Sequence, residues 1–168
     1  MIEKFKTLFF VKISLISLYL ALTIPIPFLS IDKLRVFSIF LFFLGLYLII
    51  NITSEYVETC NTKISYKTSF VSKILGRKNW EVSWKDIKAI KTLPTSQGSK
   101  VFYFNTHRGD NFLIPMRVEN LEKFLLIITR KTYIATNEMS YISPLWTYKL
   151  LTLISGLMII GELFAFLN

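Results

Sequence analysis

Three long apolar stretches constrain this chain more than any other feature of its sequence. They run from about residue 8 to 29, from 36 to 52 and from 145 to 167. A helix needs roughly 20 apolar residues to cross the hydrocarbon core of a bilayer. Helices of a soluble bundle would carry a polar stripe at helical spacing, and the middle stretch has none. The sequence therefore predicts three transmembrane helices.

The first two stretches are predicted to form a tight antiparallel hairpin, because only residues 30–35 separate them. Lys12 lies near the start of the first stretch, where its side chain can snorkel to the interface. Pro25 and Pro27 lie near the far end of that stretch and should end or kink the helix.

The third stretch opens with Trp146 and Tyr148, aromatic residues of the kind that favour the membrane interface. Gly156 and Gly161 would permit close packing against a neighbouring helix. Glu162 is near the C-terminus, which favours a position in the far headgroup layer. A functional carboxylate inside the membrane is the open alternative.

The distribution of charge predicts the orientation. Lys4 and Lys6 precede the first stretch, and residues 53–149 carry 15 Lys and Arg against 8 Asp and Glu. Two spans return the chain to its starting side, so the tail and this basic segment share one side. The positive-inside rule places that side in the cytoplasm and the C-terminus on the far side.

Between the hairpin and the third stretch, the pattern is mostly that of β-strands. Ile64 and Tyr66 alternate with polar residues, and Trp80, Val82 and Trp84 do the same. A period of two is typical of half-buried strands. Further strands are predicted at residues 55–60, 87–93, 101–106 and 111–114.

After these strands the period changes to that of a helix. Leu121, Phe124, Leu125 and Ile128 form an apolar stripe at spacings of three and four, which predicts an amphipathic helix over about 118–132. The expected fold class is therefore α+β. The expected divisions are the tail and hairpin in residues 1–53, a water-facing module in 54–140, and the third transmembrane helix in 141–168.

Several short segments of the module resemble bacterial pleckstrin-homology-like (PH-like) domains. These are the Trp84-Lys85-Asp86-Ile87 step with Ile90 after it, the Ile114-Pro115 strand end, and the helix start at residues 119–124. The resemblance covers about residues 54–135. It implies an antiparallel β module capped by a C-terminal helix and tied to membrane helices. It also implies a binding or scaffolding role rather than an enzyme. The expected location of the protein is a bacterial inner membrane or a thylakoid.

Residues with catalytic potential are few and scattered. His107 is the one histidine, in a predicted hairpin turn where Gly109 supplies a positive φ. Cys60 is the one cysteine, so no intrachain disulfide is possible. Asp86 and Asp110 are far apart in the sequence, and no phosphate-binding loop or metal-ligand spacing is present. The sequence predicts no enzyme, no catalytic residue, no metal site and no cofactor.

Basic residues mark the best candidate binding site. Lys67, Lys73, Arg77 and Lys78 surround one inter-strand loop, and in the resembled fold the corresponding loop sometimes receives lipid headgroups. The alternative is that these residues form a solvent-exposed basic face that binds no ligand and only reflects the membrane topology of the chain. Nucleic acid is not an expected partner, because the aromatic residues of the module lie at positions that look buried.

Two main functions follow as hypotheses. The first is a non-enzymatic membrane-anchored scaffold or assembly factor whose module binds an integral or peripheral membrane protein. The alternative is a lipid-headgroup-sensing module that reads the anionic inner leaflet. A weaker alternative is assembly of photosynthetic complexes in a thylakoid membrane, suggested by an overall likeness to conserved cyanobacterial proteins. The weakest is a membrane enzyme or transporter subunit that uses Glu162.

Overall fold

The computed structural model describes residues 2–96 and 98–167. It divides into two compact units. We call the first the module, which contains the residues up to Leu8 together with Ser54–Pro144. We call the second the helical unit, which contains Phe9–Thr53 and the residues from Leu145 onward.

The helical unit consists of α1 (Phe9–Thr23), α2 (Pro25–Leu29), α3 (Asp32–Ile52) and α6 (Leu145–Leu167). Among the described residues, three helical segments are long and apolar enough to cross a membrane. They comprise α1 with α2, then α3, and then α6. This agrees with the three apolar stretches in the sequence.

The two prolines at the end of the first stretch act as expected. Pro25 has no backbone N–H, so it cannot continue the hydrogen-bond ladder of α1. The helix ends at Thr23, and α2 begins at Pro25. The prediction that the prolines end or kink this helix is confirmed.

The connection between α2 and α3 is shorter than the polar segment 30–35 that separates the first two apolar stretches. Residues 32–35 belong to the first turn of α3, so only Ser30 and Ile31 separate α2 from α3. An aspartate in a first turn is stabilised by the helix dipole, and Asp32 also pairs with Arg35 at 3.1 Å. The helix α3 therefore begins within the polar segment 30–35 that separates the two apolar stretches.

Close approach in the helical unit occurs at a different glycine from those predicted. Among the described residues, a Cβ at Gly156 or Gly161 would meet no atom within 4 Å, and close packing at these glycines stays a prediction. At Gly45, by contrast, a Cβ would collide with the ring of Tyr19. The Tyr19 hydroxyl donates a hydrogen bond of 2.7 Å to the carbonyl of Phe42, which holds the ring at this position.

The module contains two antiparallel sheets and a C-terminal helix. The first sheet has the order β1 (Glu3–Lys6), β2 (Tyr56–Thr59), β3 (Lys63–Lys67), β4 (Trp80–Ser83). The second has the order β5 (Ile87–Pro94), β6 (Lys100–Thr106), β7 (Asn111–Leu113). Helix α4 (Phe70–Ile74) lies between β3 and β4, and α5 (Leu121–Thr132) follows β7. All six strands predicted from the sequence are present.

The strand β1 comes from the N-terminal tail, which the sequence had placed outside the module. Phe5 lies opposite Val57 in the β1–β2 ladder, and Lys4 pairs with Glu58 at 2.9 Å. Phe5 is 4% exposed, and its ring lies 5.2 Å from that of Phe124 in α5. The module therefore includes the tail residues up to Leu8 as well as the segment that begins after residue 53.

The other edge of β1 is covered by the segment that precedes α5. The backbone N–H of Glu119 donates to the carbonyl of Lys6 at 2.9 Å, and that of Leu8 donates to the carbonyl of Arg117 at 2.8 Å. The tail thus adds a strand between β2 and this segment. The module is discontinuous in sequence, because the apolar hairpin is inserted between β1 and β2.

One hydrophobic core is shared by both sheets and α5. The apolar stripe predicted for the helix is buried at all four positions, which confirms the helical period. Trp84, Phe102 and Phe104 are buried, whereas Trp80 is half-buried. The core contains Phe5, Val57, Ile64, Val82, Trp84, Ile87, Phe102, Phe104, Ile114, Met116, Val118, Leu121, Phe124, Leu125, Ile128 and Met139.

Replacing Phe5 with alanine should destabilise the module by about 3–5 kcal/mol, because a buried aromatic ring leaves a cavity. Urea unfolding of the full chain in detergent measures this change. The W146F background limits tryptophan emission to Trp80 and Trp84 of the module. Leu126→Ala on the exposed face of α5 is the control and should change stability by less than about 0.5 kcal/mol. Equal midpoints for F5A and L126A would show that β1 is not part of the core.

Candidate functional site

A buried carboxylate lies at the start of the chain segment that follows α3. The Glu55 side chain is 8% exposed, and its Oε2 accepts hydrogen bonds from the Tyr66 hydroxyl and from Arg77 Nη1, the latter at 3.0 Å. Its Oε1 is buried and has no hydrogen-bond partner among the described residues. A charge in such a position is costly unless it is paired. Tyr66 and Arg77 therefore hold the carboxylate in place.

Glu55 also joins the N-terminal tail to this cluster. Its backbone carbonyl accepts hydrogen bonds from the N–H of Thr7 at 3.2 Å and from the hydroxyl of Thr7 at 2.9 Å. Thr7 precedes Phe9, the first residue of α1, by two positions. Glu55 follows Ile52, the last residue of α3, by three positions. Glu55 thus contacts the N-terminal tail through Thr7, strand β3 through Tyr66 and the β3–β4 loop through Arg77.

Tyr66 is suited to act as a permanent donor in this cluster. Burial raises the pKa of Tyr66, and the hydrogen bond to Glu55 raises it further. The phenol therefore remains protonated over the physiological range of pH. Because 60% of the Arg77 side chain is exposed, its ion pair with Glu55 is partly screened by solvent.

The β3–β4 loop, residues 68–79, has a defined local structure. The backbone N–H and the hydroxyl of Thr68 both donate to Asn79 Oδ1, at 2.8 and 2.7 Å, which closes the loop at its base. Ser69 caps α4 by accepting a hydrogen bond of 3.1 Å from the N–H of Ser72. Gly76 has a φ of +87°, which few other residues adopt. These contacts give the loop a defined local geometry.

This loop presents apolar and basic side chains together. Phe70, Ile74 and Leu75 are 69%, 70% and 67% exposed. Lys73 and Lys78 are also exposed. Isolated exposed apolar residues are common on soluble proteins, but three large ones within six residues form a patch that favours an apolar partner.

The four basic residues predicted as a binding site occupy different environments. Lys73 and Lys78 are exposed on the loop, and Lys67 is half-buried at the end of β3. Arg77 is turned toward Glu55 and pairs with it. The structure thus brings the loop lysines to the surface and gives the arginine a structural contact as well.

Sequence reasoning did not identify Glu55, Tyr66 or the apolar residues of the loop as parts of a site. The apolar residues could have been found, because Phe70 and Ile74 lie four apart just after Ser69, a good N-cap. The role of Glu55 could not, because its partners lie 11 and 22 residues away.

A second, polar feature lies between β4 and the β6–β7 turn. Asp86 and Asp110 line the same shallow hollow of about 110 Å³, together with Glu81 and Arg108. The hydrogen bond from Lys63 lowers the pKa of Glu81. No group of three or more metal-ligating side chains occurs within the described part of the chain.

The lone histidine lies in the β6–β7 turn, as predicted. Its backbone N–H donates to the carbonyl of Asp86 at 2.9 Å. Gly109 has a φ of +88°, which confirms the predicted positive value. In the helical unit, Glu162 is half-buried, and its Oε2 is buried without a hydrogen-bond partner among the described residues. Its placement in the headgroup layer stays a prediction.

Comparison with known proteins identifies a relative over most of the chain. The uncharacterized protein slr0269 of Synechocystis sp. (strain ATCC 27184 / PCC 6803 / Kazusa) is 33% identical over 157 residues, which cover 88% of this chain and 77% of that protein. The chain belongs to the family of this cyanobacterial protein. The matched length exceeds that of the module, so the similarity extends into the apolar stretches. No protein-family model matches the sequence.

Replacing Tyr66 with phenylalanine should destabilise the module by about 1–3 kcal/mol, because a buried carboxylate loses a donor. The same urea titration in the W146F background measures the change. Tyr103→Phe on β6 is the matched control, since no hydrogen bond of the Tyr103 hydroxyl is present among the described residues. If Y66F and Y103F had the same midpoint, the phenol would contribute nothing to the Glu55 cluster.

Proposed function

We propose that this protein is a non-enzymatic, membrane-anchored module of PH-like fold that contacts the anionic surface of the membrane in which its helices are embedded. The observation that carries this proposal is the β3–β4 loop, which exposes Lys73 and Lys78 beside Phe70, Ile74 and Leu75. Antiparallel strands followed by one C-terminal helix support the PH-like assignment. The three apolar helices support the membrane location.

The chain itself supports a position of this loop near the lipid headgroups. Its base is fixed to Glu55 through Arg77, and Glu55 is only the third residue after Ile52, the end of α3. Three residues span at most about 10 Å. If α3 crosses the bilayer, the base of the loop therefore lies close to the headgroup layer. The positive charge of the module supports the cytoplasmic leaflet as that surface.

The lysines supply the electrostatic part of this interaction. Each lysine near an anionic leaflet contributes about 1 kcal/mol, and the effect falls off within a Debye length. Residues 68–79 contain no Asp or Glu that would weaken the attraction.

Acylation of lysines in the full chain in nanodiscs tests the proposal. Contact with lipid phosphates should slow the modification of Lys73 and Lys78 when phosphatidylglycerol replaces part of the phosphatidylcholine. An interaction of about 1 kcal/mol per lysine corresponds to about a fivefold slowing. Peptide mass spectrometry measures each rate separately.

Lys88 and Lys91 are the internal controls, because both are exposed on β5 and neither belongs to the loop. Their rates should not depend on lipid charge, and high salt should abolish the protection of Lys73 and Lys78. Equal protection of all four lysines, or of none, would contradict the proposal.

A second candidate function is the scaffold or assembly factor, and the edge strand β5 favours it. Among the described residues, this eight-residue strand pairs with β6 alone, and Ala89 and Leu93 on it are exposed. A free edge can accept a strand from a partner. Lys88 and Lys91 would repel a second copy of this strand and favour an acidic extended segment. The cyanobacterial relative supports a thylakoid version of this proposal.

A photo-crosslinking amino acid in place of Ala89 tests the scaffold candidate in native membranes. We expect one dominant adduct with a membrane protein, and its loss in the K88E/K91E variant. The same crosslinker in place of Leu126 on α5 is the control for random collisions. Adducts that survive K88E/K91E, or that also form from position 126, would count against strand addition at β5.

A further inference from the structure

We propose that Phe70, Ile74 and Leu75 form a wedge that inserts into the interfacial layer of the anionic leaflet. This inference rests on the proposed function and adds a second mode of lipid contact to it. The lysines would meet lipid phosphates, while the wedge would meet the acyl-chain boundary below them. The module would then be fixed to the bilayer by its own surface as well as by its helices.

The two sides of α4 differ sharply in environment. Val71 and Ser72 face the module and are 7% and 1% exposed, whereas Phe70 and Ile74 are about ten times more exposed than Val71, at 69% and 70%. Leu75 continues the exposed side at 67%. The helix thus presents an apolar ridge to the outside while its other side is packed.

The ridge is concentrated compared with the rest of the module. Other large apolar side chains with high exposure are separated from one another on different elements, such as Leu113 on β7 and Leu126 on α5. Scattered apolar residues of this kind need no partner, but a contiguous ridge does. The ridge is therefore the part of the module surface that most favours an apolar partner.

Charge complementarity selects lipid as the occupant. Lys73 lies between Phe70 and Ile74 in sequence, and Lys78 follows three residues after Leu75. An amphipathic segment with large apolar residues and flanking lysines is typical of interfacial binding to anionic membranes. If α3 crosses the bilayer, the three-residue step from Ile52 to Glu55 keeps the base of the loop near that surface.

Several contacts hold the loop in the absence of lipid, so that little conformational entropy of its backbone would be lost on insertion. The Thr68–Asn79 hydrogen bonds close its base, and the Ser69 cap and the Arg77–Glu55 ion pair fix its two ends. Ordering a flexible loop on binding would cost free energy that a preorganised loop does not lose. The wedge is thus presented in the absence of lipid.

A fluorescent probe at position 74 tests the wedge in the full chain. In a C60A background, the I74C variant is labelled with an environment-sensitive dye, and K91C on β5 is labelled as the matched control. In nanodiscs with phosphatidylglycerol, we expect a blue-shifted emission at position 74. We also expect several-fold stronger quenching by brominated lipid there than at position 91.

The outcomes separate the wedge from the proposed function. Protection of Lys73 and Lys78 by anionic lipid, with the dye at position 74 as exposed as that at position 91, would overturn the wedge alone. Insertion that is equal in neutral lipid and insensitive to K73Q/K78Q would support the wedge and overturn the charge-dependent function. A blue shift only in native membranes, and not in pure lipid, would assign the ridge to a protein and overturn the lipid wedge.

The triple variant F70S/I74S/L75S removes the apolar side chains of the wedge, and its unfolding midpoint shows whether the module still folds. Because all three side chains are exposed, its unfolding midpoint in urea should remain that of the wild type. The lysine protection in anionic nanodiscs should decrease several-fold, since the loop loses its apolar contact. A normal midpoint together with unchanged lysine protection would also contradict the wedge.

Discussion

The pairing of β1 with β2 is the interaction on which the rest of the module depends. It joins the N-terminal tail to the segment after α3 and places Phe5 in the shared core against Phe124. It also lines up Thr7 with Glu55, so that the two ends of the hairpin are held by adjacent hydrogen bonds. A module cut from the chain after residue 53 would lack this strand and expose the core beneath it.

The Glu55 cluster connects this strand pairing to the β3–β4 loop. A buried carboxylate must find donors, and it finds them on β3 and on the β3–β4 loop. The loop that carries the exposed lysines and apolar residues is thereby tied to the point where the chain leaves α3. The ion pair of Glu55 with Arg77 is thus one of the contacts that hold the candidate binding surface.

Sequence periodicity predicted the strands β2 to β7 and the helix α5 because each has an apolar face at its own repeat. It did not predict β1, because four residues with one buried side chain carry almost no period, and the charges of Lys4 and Lys6 suggested only a topological signal. The basic loop was recognised, but the pairing of Arg77 with Glu55 depends on tertiary contacts that no local pattern records. The PH-like assignment stays a prediction.

The insertion of the hairpin between two paired strands couples folding to topology. If the hairpin crosses the bilayer twice, β1 and β2 emerge on the same side and can meet. If the second helix failed to insert, β1 and β2 would lie on opposite sides of the bilayer. The two strands could not pair, and the hydrophobic core of the module would remain incomplete. Pairing of β1 with β2 would therefore require that the first two helices have both been inserted.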